Sequence, residues 1–205
     1  MRPALAGLLV FSSSAAVLAL EILAVRLLAP HLGITLEVTT GVIGTILAGI
    51  AVGTWLGGQL ADKADPRRML GPILIIGGVL ALAVIPMIGL AAQTGVGPSP
   101  QGVLIYAGTA FFLPAAVLSA TSPTVVKLQL HHLGQTGTIV GGYSAVSTAG
   151  AIAGSFVTGF ILVAALPTRP IVVGIGVALI AAGLVISWRL GKANPRSLLS
   201  LTLVL

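Results

Sequence analysis

Long apolar stretches separated by short polar loops divide this chain into six segments. Each is close to the roughly 20 residues that an α-helix needs to cross a bilayer, whereas transmembrane β-strands would show short alternating segments. The stretches run from about Pro3 to Leu28, Val38 to Leu60, Leu70 to Ala92, Gly102 to Ala120, Thr138 to Leu166 and Pro170 to Trp188. The pattern predicts an all-α, polytopic transmembrane helical bundle of six spans that occupies residues 1–205 as a single domain.

Composition agrees with this class and excludes others. Hydrophobic residues make up 57% of the chain and charged residues 7%, with a net charge of +6. The basic residues are dispersed over loops and helix ends, so we expect the lipid bilayer as partner and no nucleic acid. Cysteine is absent, which excludes a disulfide framework and a thiol nucleophile.

The basic residues also predict an orientation. With six spans, most of them fall on one side of the membrane: Arg2, Lys63, Arg67, Arg68, Lys127, Arg189, Lys192 and Arg196. Because basic loops stay in the cytoplasm, we expect both termini to be cytoplasmic and the protein to lie in the cell membrane.

Glu21 lies inside the first apolar stretch, roughly 7.5 Å from the middle of the predicted helix. A charge at the centre of a membrane helix costs about 2.5 to 3.5 kcal/mol on insertion scales. Arg26 is a poor partner, since helical neighbours are three or four residues apart and its long stem can reach the headgroups. We therefore predict that Glu21 faces another helix and is paired there.

Small residues form a ladder along the second span and again along the fifth. The ladder repeats every four residues in the second span, at Gly41, Thr45, Gly49, Gly53 and Gly57, and recurs in the fifth span at Gly150, Gly154 and Thr158. Such stripes let backbones approach closely in lipid. We expect the second and fifth spans to be the central helices, either as tightly packed supports or as helices that slide and rock.

The chain repeats itself at an offset of 101 residues, which sets the run Arg26 to Gly33 over the run Lys127 to Gly134. Identities continue at Gly41, Gly49, Gly53, Pro66 and Arg68, which fall on Gly142, Gly150, Gly154, Pro167 and Arg169. The offset predicts one copy at about 1–92, a second at about 102–189 and a tail at 190–205. Because each copy has three spans, the second must be inverted, an architecture common among secondary transporters.

The offset places Ser122 at the position that corresponds to Glu21, beside Pro123. Proline removes a backbone donor and disfavours helix at the residue before it, so Thr121 to Pro123 is a candidate helix interruption. The candidate substrate-binding residues are therefore Glu21, Ser119, Thr121 and Ser122. The alternative is that these hydroxyls bond to their own helix and that Pro123 marks a helix end.

Four runs carry a family resemblance: Glu21 to Gly33, Gly41 to Asp62, Ser122 to Leu128 and Tyr143 to Gly154. Together they resemble the membrane part of fused spermidine-synthase-like proteins, a helical bundle often likened to the major facilitator superfamily. The resemblance implies a fused or separate synthase-like domain and a connection to polyamines. The loop Gly58 to Arg68 is similar to that superfamily's loop between its second and third helices, but Asp65-Pro66 replaces the expected glycine.

We expect no catalytic residues, metal or cofactor in this chain. A synthase would need a nucleotide-binding α/β domain, and Gly174 and Gly176 lie inside an apolar span. His31 is separated from His131 and His132 by the membrane, and no acid accompanies the pair. Two functions remain open: binding or transport of a polyamine or other small cation, and a non-catalytic scaffold or accessory subunit. In either role we expect a homo-oligomer or a larger membrane complex.

Overall fold

The computed structural model describes residues 1–130, 134 and 136–191, and most of them are helical. Six helices are long and apolar enough to cross a membrane, which confirms the predicted all-α class and makes the chain an integral membrane protein. They are α1 (Pro3–Leu32), α2 (Leu36–Lys63), α3 (Pro66–Ala92), α4 (Pro100–Gln129), α5 (Thr136–Ala165) and α6 (Thr168–Gly191). His131, His132, Gln135 and the tail from Lys192, including Arg196, lie outside the described residues.

Polar residues at the loop ends fix where several helices begin. The side chains of Thr35, Asp65 and Ser99 accept hydrogen bonds from backbone N–H groups in the first turns of α2, α3 and α4, at 3.0 to 3.2 Å. A proline occupies the first position of α1, α3 and α4, where its missing N–H would be unpaired in any case. α1 ends at Gly33, whose φ of 78° suits glycine.

α4 is longer than the sequence predicted, because the predicted stop near Ala120 is only a one-residue turn. Helix resumes at Thr121 and continues through Pro123 to Gln129, so the predicted interruption at Thr121 to Pro123 is wrong, and so is the alternative of a helix end at Pro123. A π-helical stretch at Gly108–Phe112 comes just before Pro114, whose ring nitrogen cannot donate the next helical bond. A second π-helical stretch, Val157–Leu162, lies in α5.

The helices pack mainly as pairs: α1 with α5, α2 with α4, and α3 with α6. Gly150 of α5 lies against Phe11 of α1, and Gly154 lies against Ala15. Residue numbers therefore increase in the same direction along both helices, so the two helices are parallel. In the third pair, Gly71 meets Ser187 and Gly78 meets Ile180, so α3 and α6 are antiparallel. These directions are those of a chain that crosses the membrane six times in alternation.

Contacts between helices follow the 101-residue offset. Gly49 lies against Phe112, and Gly150, the residue that matches Gly49, lies against Phe11, the residue that matches Phe112. In the same way Gly53 lies against Ala116, and their counterparts Gly154 and Ala15 lie against each other. Gly183 lies against Ile75, and their counterparts Leu82 and Gly176 are also in contact. Reciprocal contacts of this kind are what a two-fold relation between the copies would produce, and they favour the predicted inverted repeat.

The small-residue ladders do not mark the central helices, and that expectation is wrong. α1 and α4 are the most buried spans, and α5 is the least buried. The physical reason is that a stripe one residue wide accommodates one neighbouring backbone. The remaining faces of α2 and α5 carry exposed apolar side chains such as Trp55 and Phe160.

Two hydrogen bonds join chain segments at one end of the bundle. Asp62 at the end of α2 pairs with Lys127 in α4 at 2.5 Å, and the Gln129 side chain donates to the Met1 carbonyl at 3.3 Å. We call this end the basic end, since Arg2, Lys63, Arg67 and Arg68 lie beside these segments. The other end holds Arg26, His31, Gln101 and Arg169.

We predict that the basic end faces the cytoplasm, since basic loops are retained there. The chain has no native cysteine, so single cysteines introduced by Ala64→Cys and Gln101→Cys give clean labels. In intact cells a membrane-impermeant maleimide should label the Gln101→Cys variant, and the Ala64→Cys variant only after the membrane is opened. Labelling of both variants in intact cells would contradict the alternating topology.

Candidate functional site

A cavity of about 280 Å³ lies between α1, α2, α4 and α5. Three pairs of its lining residues match across the 101-residue offset: Val17 with Leu118, Leu18 with Ser119, and Ile50 with Ala151. The cavity therefore takes equivalent positions from both copies and lies at the interface between them. Internal repeats place substrate sites at such an interface in many transporters.

The lining is rich in hydroxyl groups for an apolar bundle. They belong to Ser13, Ser14, Thr54, Ser119, Ser122, Ser147 and Thr148. Ser14 and Ser147 bond to each other across α1 and α5, with their Oγ atoms 2.7 Å apart. No charged side chain among the described residues lines the cavity.

Some of these hydroxyls are satisfied by their own helices and others are available. The hydroxyls of Ser13, Ser119 and Thr148 donate to backbone carbonyls three or four residues earlier. The hydroxyls of Thr54 and Ser122 have no hydrogen-bond partner within the described part of the chain. A hydroxyl that lines a cavity without a partner can donate to a solute and accept from it.

The structure brings two of the four predicted substrate-binding residues into the cavity wall, Ser119 and Ser122. Thr121, which lies between them in sequence, is fully buried instead. Its Oγ1 is the one buried side-chain polar atom without a partner in the described residues. An unpaired buried hydroxyl costs about 1 to 3 kcal/mol, so α4 is not optimised for stability at this turn.

Glu21, predicted as a substrate-binding residue, does not line the cavity. The side chain is half-buried and has no ion-pair or hydrogen-bond partner among the residues that the structure describes. It lies on the same face of α1 as Ser14, roughly 10 Å further along the helix, and one turn beyond Val17. Glu21 is therefore adjacent to the cavity on the side away from the basic end.

The cavity is displaced toward the basic end. Each of the four helices contributes residues at its midpoint or between that midpoint and the basic end, such as Ser14, Thr54 and Ser122. The packing around it is also unequal, because α4 contacts α3 more extensively than its counterpart α1 contacts α6. The two copies thus share a sequence pattern but differ in their packing.

The ion pairs lie at the basic end and not in the cavity wall. Asp62 and Asp65 lie close to Arg67 and Arg68 in the sequence. In the structure Asp65 pairs with Arg68 at 3.6 Å, whereas Asp62 reaches across to Lys127. Both ion pairs are exposed, so each contributes at most about 1 kcal/mol.

The glycines predicted to pack helices have close neighbours. A methyl group added at Gly41 would meet Val103, and one added at Gly57 would meet Ala120. The described residues contain no group of three or more potential metal ligands. His31 stacks on Tyr106 at the end opposite the basic end, with ring centroids 5.5 Å apart.

Sequence reasoning missed most of the cavity wall. Ser13, Ser14, Thr54 and Thr148 are isolated hydroxyls in apolar spans, and no spacing rule distinguishes one that faces a cavity from one that bonds its own helix. Ser147 stood beside the small-residue ladder of the fifth span, which was the one signal that it faces another helix. Helix pairing was needed to bring the five together.

Comparisons of the chain with protein-family models, with curated proteins and with solved structures found no match. The resemblance to the membrane part of spermidine-synthase-like proteins gains nothing from them and stays a prediction. The cavity and its surroundings are therefore the basis for any functional conclusion.

Proposed function

We propose that this protein binds a small polar solute, a polyamine or another small cation, in the hydroxyl-lined cavity and carries it across the membrane. The single observation that supports this most directly is the cavity itself. It combines available hydroxyls with equivalent positions from both copies, inside helices that are otherwise apolar. Hydroxyl groups that face a cavity in an apolar bundle can form hydrogen bonds with a polar solute there.

The size and chemistry of the cavity define the solute class. At about 280 Å³ the cavity is just below the usual range for drug-sized ligands, so it fits a short diamine better than a long polyamine. Ammonium groups donate hydrogen bonds, and the hydroxyls of Thr54 and Ser122 can accept them. Binding by hydroxyls without a carboxylate is weak enough to let the solute leave, as transport requires.

The offset also suggests how Glu21 takes part. In an inverted repeat, exchange of the two copies' conformations replaces each lining residue by its counterpart 101 positions away. Ser122 would leave the cavity wall and Glu21 would join it, while Leu18, Ser119, Ile50 and Ala151 would stay. The described arrangement is then the state displaced toward the basic end, and Glu21 meets the cation in the opposite state.

Transport by this cavity is tested by filling it. Purified protein in sealed vesicles should take up radiolabelled putrescine with saturable kinetics, driven by a potential that is negative inside. Ala151→Phe places a ring in the cavity and should lower the initial uptake rate, because Ala151 lines the cavity in both proposed states. The matched control is Ala149→Phe, on an exposed position of the same helix.

Two results would contradict this proposal. The first is the absence of saturable uptake by the parent protein for putrescine, spermidine and monovalent cations. The second is an equal loss of uptake in the Ala151→Phe and Ala149→Phe variants, which would point to a general disturbance of α5.

A scaffold or accessory subunit is the second candidate function, and one observation favours it. α5 is the least buried span and exposes Val140, Ile152, Phe156 and Phe160. A partner helix in a homo-oligomer or a larger complex would cover such a face. Co-purification of a stoichiometric partner through α5, together with absent solute uptake, would favour this function over transport.

A further inference from the structure

An apolar groove lies between α2, α3 and α4 in the half of the bundle next to the basic end. It has a volume of about 430 Å³, and its lining includes Leu56, Leu60, Met69, Ile73, Leu113 and Val117. We call it the basic-end groove. It is separate from the hydroxyl-lined cavity, with which it shares no lining residue.

Cationic residues lie in and next to the loop between α2 and α3, close to the end of the bundle at which this groove lies. Lys63 is three residues beyond Leu60, about one helical turn, and Arg67 is two residues before Met69. Both side chains are exposed and have no ion-pair partner in the described residues. The neighbouring charges neutralise one another, because Asp62 pairs with Lys127 and Asp65 pairs with Arg68. Two positive charges near this end of the groove therefore have no ion-pair partner among the described residues.

The offset supplies a natural comparison. A second apolar groove of about 450 Å³ lies between α1, α5 and α6, and we call it the opposite groove. Its residues Ser12, Ala16 and Val157 are the counterparts of Leu113, Val117 and Leu56 in the basic-end groove. At the positions that match Lys63 and Arg67 the chain has Ala164 and Thr168. The two grooves thus have similar volumes, and the opposite groove lacks counterparts of Lys63 and Arg67.

We propose that the basic-end groove is a binding site for an anionic phospholipid. One acyl chain lies in the groove, and the phosphate-containing headgroup contacts Lys63 and Arg67. A groove at membrane depth is occupied by hydrocarbon, and charge complementarity at its end selects the headgroup. The opposite groove accepts acyl chains without this selection.

The test compares two lipids with identical acyl chains, phosphatidylglycerol and phosphatidylcholine, on the full chain purified in a zwitterionic detergent. Native mass spectrometry gives the apparent Kd for each lipid. We expect phosphatidylglycerol to bind about 25-fold more tightly, about fivefold for each of the two cations. The Lys63→Gln, Arg67→Gln double variant should lose this preference, and each single variant should lose about half of it on a logarithmic scale.

Matched variants separate the groove from general surface charge. Arg26→Gln with Arg169→Gln removes two cations at the other end and should keep the preference. Leu56→Trp fills the basic-end groove, and Val157→Trp fills the opposite one; both parent side chains are 43% exposed. Leu56→Trp should weaken phosphatidylglycerol binding, and Val157→Trp should leave the preference unchanged.

Several outcomes would overturn the proposal. One is equal affinity for the two lipids, and another is equal loss of preference in the two double variants. Unchanged binding in the Leu56→Trp variant would show surface attraction without a groove. A dimer that Leu56→Trp dissociates would show that a second copy, not lipid, occupies the groove.

Discussion

Replacing Gly53 by valine should destabilise the bundle by about 3 kcal/mol, at the upper end of the range for overpacked sites. A Cβ at this position would collide with the backbone of Ala116 in α4, including its carbonyl oxygen and Cα. Backbone atoms cannot rotate away as a flexible side chain can, so α2 and α4 would have to separate. In lipid this close packing is itself the force that holds two helices together. The midpoint of unfolding in dodecyl sulfate, followed by circular dichroism, measures the loss.

The same experiment tests the internal repeat, since Gly154 meets Ala15 as Gly53 meets Ala116. Gly154→Val should therefore cost about as much as Gly53→Val. Gly44 in α2 and Gly159 in α5 have no atom near an added Cβ, and valine there should change the midpoint little. A comparable loss from Gly44→Val would mean that glycine matters for its backbone freedom, not for close approach.

Replacing Glu21 by leucine should weaken cation binding about 10- to 100-fold, the usual value of a hydrogen-bonded charge. This follows from the proposed exchange between copies, in which Glu21 replaces Ser122 in the cavity wall. Glu21→Gln keeps the size and the polar group but not the charge, so it should fold normally and bind cations nearly as weakly as Glu21→Leu. Isothermal titration with putrescine and vesicle uptake measure the two effects.

The controls for Glu21 distinguish a binding residue from a structural one. Arg26→Gln removes a charge one turn further out and should leave uptake unchanged, because Arg26 is exposed and lies outside the described cavity. Full uptake of every cation by both Glu21 variants would place the site elsewhere. If Glu21→Leu instead unfolds the bundle and no solute binds the parent protein, Glu21 ties helices together and the scaffold function is favoured.

Helix ends illustrate where local sequence information was sufficient and where it was not. The apolar runs placed the starts of α2 and α3 at Val38 and Leu70, two and four residues late, because polar caps at Thr35 and Asp65 begin each helix before its apolar run. Pro123 did not end α4, because it is the third residue of the helical segment that begins at Thr121. Backbone N–H groups in the first turn of a helix have no helical acceptor, so the missing N–H of proline costs little there.

By itself the sequence determined the number of spans, their all-α class and the 101-residue offset, because bilayer thickness imposes a length on every apolar run. The sequence also predicted Ser119 and Ser122 as candidate substrate-binding residues, because the offset aligns Ser122 with Glu21. Only the tertiary structure decided which helices pair, that α1 and α4 are central, and that Ser14 and Ser147 meet across the cavity. In lipid, polar and apolar faces of a helix are not separated by water, so periodicity does not reveal which face meets a neighbour. Small residues at Gly53 and Gly154 permitted close contacts, and the fold determined which neighbour they meet.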